Sequence, residues 1–156
     1  MSDIKTLHKV VDIAEKRRDE ARASLAQQQR ELQIAQDQMQ QLQTYAQEAQ
    51  QRWLARSSST GVDAQQLFHQ RQFMDKIDHA VEFQRGVIGN REALIERSQQ
   101  QLMAAERDVA GLRKYTERKL LAMAQKAQRQ DQKATDEMAL SIHLRQSLAQ
   151  AQGIRP

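Results

Sequence analysis

The sequence predicts an all-α protein whose two long helices fold back on each other as an antiparallel coiled-coil hairpin. Three observations predict this fold class: an apolar repeat of 3.5 residues, a composition rich in helix-forming residues, and one short break near residue 60. The 156 residues include 27 Gln, 4% aromatic residues, five Gly and one Pro. This composition is typical of long helices rather than of a mixed α/β core.

The first helix is predicted over residues 3–56. Its apolar or small residues recur at alternating steps of three and four, a spacing that keeps one seam of the helix facing a partner. Only Arg18 and Gln28 interrupt the apolar series. The seam consists of Ile4, Leu7, Val11, Ala14, Arg18, Ala21, Leu25, Gln28, Leu32, Ala35, Met39, Leu42, Ala46, Ala49 and Trp53.

A turn is predicted over residues 57–62, because three Ser, a Thr and a Gly in succession favour a turn over a helix. Asp63 followed by Gln66 predicts a capping box at the start of a second helix, over residues 63–149. Gly153 and Pro156 mark its end. Its seam consists of Met74, Ile77, Val81, Gln84, Ile88, Arg91, Ile95, Ser98, Leu102, Ala105, Val109, Leu112 and Thr116.

The short connection requires the two helices to lie antiparallel, as a single hairpin domain over residues 1–156. Counting outward from the turn places the start of helix 1 opposite residue 115. Helix 2 therefore extends beyond helix 1, and about thirty residues after Thr116 have no partner within the chain.

This extension carries the positive charge of the chain. Nine basic and four acidic residues lie between Arg113 and Pro156, against a net charge of +4 for the whole chain. The nine are Arg113, Lys114, Arg118, Lys119, Lys126, Arg129, Lys133, Arg145 and Arg155. Such a helix can bind a protein groove, a nucleic acid or a membrane surface, can dimerise, or can stay solvated. Interleaved acidic residues and the lack of aromatic residues after Tyr115 argue against nucleic acid.

No pattern in the sequence predicts an enzyme, a cofactor or a metal site. The sequence has no glycine-rich phosphate loop and no Cys, and no two of its four His have the i, i+4 spacing of a helical metal site. The N-terminus lacks the features of a signal peptide, and no stretch approaches the ~18 apolar residues of a membrane span. We therefore expect a soluble, cytoplasmic, non-enzymatic protein.

Two short stripes near the turn are candidates for binding a partner. Residues facing each other across the hairpin place both stripes at the same level, where they border one groove. Leu42 and Ile77 also fit the seam, whereas Tyr45 and Phe73 lie just outside it, where a half-buried ring can anchor a partner. The stripes are Gln38, Leu42 and Tyr45 on helix 1, and Phe73, Ile77, Ala80 and Gln84 on helix 2.

Three segments carry a resemblance to a known family. They are LQTYAQEAQQRW (42–53), FHQRQFMDKIDHAVEFQR (68–85) and RQDQKATDEMA (129–139). Together with the turn between the first two, they resemble the FliJ family, the coiled-coil component of the bacterial flagellar type III export apparatus. The resemblance extends over nearly the whole chain.

The resemblance implies a hairpin stalk whose free ends enter the hexameric export ATPase and stimulate it. It also implies binding to the membrane protein of the export gate and to export chaperones, so that the protein reaches the inner membrane only through the export apparatus. The gate-binding surface maps onto the seven stripe residues. Ala49 and Gln84 depart from the family pattern, which has an aromatic residue and a histidine at these positions.

The basic end of the hairpin is the expected contact with the ATPase ring. Its residues are Arg113, Lys114, Arg118, Lys119, Leu120, Met123, Lys126 and Arg129. Two alternatives stay open on the sequence alone: a stalk protein of an injectisome, and a coiled-coil escort of export chaperones that does not act on the ATPase.

Overall fold

The computed structural model describes residues 2–153 as two α-helices, α1 (Ser2–Ser59) and α2 (Ala64–Gly153). No strand occurs in this range. Residues earlier in α1 contact residues later in α2, as antiparallel helices require. Tyr45 contacts Phe73, Gln38 contacts Gln84, and Glu31 pairs with Arg91. The predicted all-α antiparallel hairpin is confirmed.

The predicted seams form the contact between the helices. Every seam residue named above, on both helices, is buried or partly buried, whereas most of their neighbours are exposed. The most buried apolar side chains are Ala14, Ala35, Met39, Ile77 and Val109. Two helices bury only a narrow stripe of each other, so the hairpin has a seam in place of a three-dimensional core.

Helix α1 ends three residues later than the sequence predicts. Ser57, Ser58 and Ser59 were expected in the turn, but they form the last turn of the helix. Each hydroxyl donates a hydrogen bond to the carbonyl three residues earlier, at 3.1, 3.1 and 3.3 Å. These bonds satisfy the serine side chains within the helix, which offsets their preference for a turn.

The connection between the helices contains a glycine and a helix cap. Gly61 has a φ of 71°, a left-handed conformation that glycine adopts without steric cost. The backbone N–H of Gln66 donates to Asp63 Oδ1 at 2.8 Å, and the N–H of Asp63 donates to Gln66 Oε1 at 3.2 Å. This reciprocal pair of hydrogen bonds is the predicted capping box, and α2 begins at Ala64, directly after Asp63.

The contacts group the chain into two units. One consists of Met1–Ala14 and Asp108–Pro156, and the other of Glu15–Arg107. In the first unit every residue from Ala124 to Gly153 is exposed, and we call this segment the overhang. It confirms that helix 2 extends beyond helix 1. Arg155 and Pro156 lie outside the described residues, and the single domain over 1–156 stays a prediction.

Candidate interaction surfaces

The unit Glu15–Arg107 contains a groove beside the seam, lined by Gln38, Gln41, Leu42, Tyr45 and Gln84. We call it the tyrosine groove; its volume is about 370 Å³. The Tyr45 ring packs edge-to-face on Phe73, with 5.9 Å between the centroids and 72° between the planes. This contact fixes the ring while 48% of Tyr45 remains exposed. A fixed, half-exposed ring can add contact area to a partner at little entropic cost.

Gln84 is a polar residue within the seam, and it is 8% exposed. Its amide nitrogen donates to the Ala35 carbonyl oxygen at 2.8 Å and to Gln38 Oε1 at 3.2 Å. The buried amide thus has partners on α1, and the second bond holds the Gln38 side chain at the edge of the groove. A polar seam residue bonded across the interface favours one register of the two helices.

The seven stripe residues predicted to bind the export gate differ in accessibility. Gln38 and Tyr45 are exposed, whereas Leu42, Phe73 and Ala80 are partly buried. Ile77 and Gln84 are buried, at 6% and 8% exposure. Four of the seven line the tyrosine groove, and Phe73 supports it through Tyr45.

Sequence reasoning missed two apolar residues near this groove. Ile34 is 56% exposed and Phe83 is 75% exposed. Ile34 precedes Tyr45 by eleven residues and Phe83 follows Ala80 by three, so each lies on the same side of its helix as the stripe. The seam pattern passes over both because they fall outside its three-four spacing. Their spacing from the stripe residues, eleven residues from Tyr45 and three from Ala80, would have identified them from the sequence.

Ala49 lies in a second groove of about 180 Å³. Trp53 and Phe73 line the same groove, together with Arg52, Arg56 and Gln70. The small side chain of Ala49 therefore leaves space between two rings.

The first unit contains a larger groove between the start of α1 and α2, with a volume of about 710 Å³. We call it the terminal groove. The Lys119 ammonium lies 5.9 Å from the centre of the Tyr115 ring, within cation–π range. Apolar and cationic side chains alternate along this surface. The groove is lined by Asp3, Thr6, Leu7, Tyr115, Lys119, Met123, Lys126, Ala127 and Gln130.

Eight residues were predicted to contact the ATPase ring. The six basic residues among them are exposed, and Leu120 and Met123 are partly buried. Lys119, Met123 and Lys126 line the terminal groove. Further along the overhang, large apolar residues are exposed: Met138, Leu140, Ile142, Leu144 and Leu148.

Two kinds of site have no counterpart among residues 2–153. No group of three or more His, Asp or Glu side chains is arranged to hold a metal ion. Neither helix, over its described length, has a segment apolar enough to cross a membrane.

The fold and these surfaces define a class of protein: a coiled-coil hairpin that presents apolar and basic residues along its helices. The chain matches the family model described as flagellar FliJ protein over residues 3–148, and it belongs to that family. Membership of this family makes it a component of flagellar protein export, associated with the export apparatus and involved in flagellum biogenesis. Among curated proteins and among solved structures, nothing matches this chain.

Proposed function

We propose that this protein is the stalk of the export ATPase: the end of the hairpin that carries the overhang inserts into the hexameric ring and stimulates hydrolysis. The observation that carries the proposal is the overhang. Helix α2 remains helical to Gly153, although Met123 is its last partly buried residue. A helix of this length without a partner in the chain has its apolar side chains available to another protein.

The charge of this end supports a contact with an acidic lining of the ring. Exposed pairs between opposite charges contribute only about 0–1 kcal/mol each. Binding spread over many such pairs gives fast association and fast dissociation, as coupling to a catalytic cycle requires. The residues proposed for this contact are the eight predicted from the sequence.

The tyrosine groove is proposed to bind the membrane protein of the export gate. The accessible members, Gln38 and Tyr45, make the contact above Leu42, which lines the groove. Phe73 supports the Tyr45 ring, and the partly buried Ala80 belongs to the same proposed surface. Ile34 and Phe83 extend the surface along both helices. Ile77 acts indirectly, because its burial holds the two helices in the register that forms the groove. Gln84 also fixes this register through the Ala35 carbonyl, and it lines the groove and holds Gln38 at its edge.

Export chaperones are proposed as further partners, so that one hairpin brings cargo, ATPase and gate together. The protein would then lie in the cytoplasm and reach the inner membrane through the export apparatus.

The stalk proposal is tested by adding the purified full chain to the cognate ATPase and measuring hydrolysis and hexamer formation. We expect both to rise, and a chain truncated after Thr116 to lose the effect. A double reversal Lys16→Glu with Arg17→Glu, at exposed positions of α1, is the matched control and should stimulate normally. No stimulation, or full stimulation by the truncated chain, would contradict the proposal. Chaperone binding without any effect on the ATPase would instead support the escort role.

The gate proposal is tested by calorimetry with the cytoplasmic domain of the gate protein. Tyr45→Ala should weaken binding by about tenfold or more, the loss typical of a central aromatic contact. Phe68→Ala is the matched control, because Phe68 is 58% exposed and lies outside the groove. Equal effects of the two substitutions would argue against a gate site at the tyrosine groove.

A further inference from the structure

The overhang carries a row of charged residues whose sign changes along the helix. Lys126, Arg129 and Lys133 come first, and Asp136 and Glu137 follow. Steps of three and four residues place all five on one side of the helix, and all five are exposed. We call them the charged row. A helix with this arrangement is complementary in charge to a second copy of itself that runs in the opposite direction.

We propose that the overhangs of two copies pair antiparallel and form a homodimer. With residues 132 and 133 at the twofold axis, Arg129 of one copy lies opposite Asp136 of the other. Lys126 of one copy then comes within one helical turn of Glu137 of the other. Symmetry doubles each pair, so four opposite-charge contacts form. Lys133 flanks the axis and faces no acidic residue.

The apolar residues beyond the charged row fit the same arrangement. Leu140, Leu144 and Leu148 continue the row along the same side and are 59%, 54% and 64% exposed. In the antiparallel pair, Leu144 lies opposite residue 121 and Leu148 opposite residue 117 of the other copy. The three leucines therefore reach the terminal groove of that copy, where Leu7, Tyr115 and Met123 supply apolar surface.

The overlap between the two copies is long. Residues 113–152 of each copy run alongside each other for about 60 Å. Each copy buries its leucines in a groove of the other, and each groove has a volume of about 710 Å³. This combination of apolar contact and flanking charge pairs sets the orientation of helices in coiled coils. The pairing does not depend on the proposed ATPase contact, and it is measured on the purified chain alone.

The test is sedimentation equilibrium of the full chain over a range of protein and salt concentrations. We expect a mass twice that of the 18.0 kDa chain, and dissociation that increases with salt. The double reversal Lys126→Glu with Arg129→Glu makes every residue of the row acidic except Lys133. The reversal Asp136→Lys with Glu137→Lys makes the row entirely basic. Each should raise the dissociation constant by about tenfold or more, because like charges then face each other.

Mixing the two reversed variants distinguishes this geometry from non-specific association. The acidic and basic rows are complementary, so the mixture should form a heterodimer at least as tight as the original dimer. Lys133→Gln should not weaken the dimer, since Lys133 has no acidic partner in it, and Lys16→Glu with Arg17→Glu is the neutral control. Circular dichroism verifies that every variant keeps its helices. A monomeric original chain at all concentrations, or a mixture that stays monomeric, would overturn the proposal.

Discussion

The covered part of α2 and the overhang belong to one continuous helix, yet their side chains lie in different environments. Between Met74 and Thr116 the seam of α2 is buried or partly buried against α1, whereas every residue from Ala124 to Gly153 is exposed. The strong helix formers Ala, Gln, Leu, Met, Lys, Arg and Glu together make up more than half of each stretch, so both favour a helix. The difference shows that the composition is enough for a helix and that α1 supplies the packing. The surfaces available to partners are therefore those that α1 leaves uncovered.

Hydrogen exchange should show the largest difference between the two stretches. Amides of residues 77–109 are protected by packing, whereas those of the overhang open by local fraying of a solvated helix. We expect the overhang to exchange at least about 100-fold faster in dilute solution, measured by mass spectrometry of the full chain. Equal rates would mean that the overhang has a partner even at low concentration. Repeating the measurement at high concentration should protect it, if the dimer proposed above forms.

Truncating one apolar side chain in each stretch tests the comparison energetically. Ile77 is 6% exposed and Leu144 is 54% exposed. Ile77→Ala should reduce the free energy of unfolding by about 2–3 kcal/mol, since it removes buried methyl groups and leaves a cavity. Leu144→Ala should change it by less than about 0.5 kcal/mol at protein concentrations that keep the chain monomeric. Urea unfolding followed by circular dichroism gives both values, and similar losses would show that the overhang is packed.

The sequence predicted the seams because a 3.5-residue repeat and a short turn leave few ways for the two helices to pack against each other. Once the repeat is present, the buried side of each helix follows, and the turn fixes which residues face each other. Three features depended on information outside this pattern. The serines at the end of α1 stay helical through hydrogen bonds to backbone carbonyls. Gln84 is satisfied by Ala35, which is remote in sequence. Phe83 lies outside the seam and is 75% exposed, and the repeat alone does not show that it lies on the same side of α2 as the stripe.

A polar residue in the seam of α1 provides a prediction in the opposite direction, a gain in stability. The Gln28 side chain lies in the seam of α1, and its Oε1 atom is buried without a hydrogen-bond partner. An unsatisfied buried oxygen of this kind costs about 1–3 kcal/mol. Gln28→Leu should therefore stabilise the hairpin, by about 1–2 kcal/mol, because it removes this cost and adds an apolar seam contact.

The neighbouring residue supplies the control for this substitution. Gln29 is exposed, so Gln29→Leu should leave the free energy of unfolding within about 0.5 kcal/mol of the original value. Thermal melts of the two variants compare the same chemical change at a seam position and at a surface position. A Gln28→Leu protein that is less stable than the original would show that the amide has a role in setting the register.

The smallest expected effect comes from the cap that starts α2. Asp63 accepts a hydrogen bond from the Gln66 backbone N–H at 2.8 Å, and this bond satisfies one of the free amides at the helix start. Asp63→Ala should cost about 1 kcal/mol, the usual loss on removing a helix N-cap. Asp75→Ala, an exposed position inside α2, should be neutral or slightly stabilising, because alanine is the better helix former. The cap lies at the start of α2, and further along α2 the packing against α1 protects the helix. Hydrogen exchange should therefore become faster at residues 64–73 and stay unchanged in the overhang.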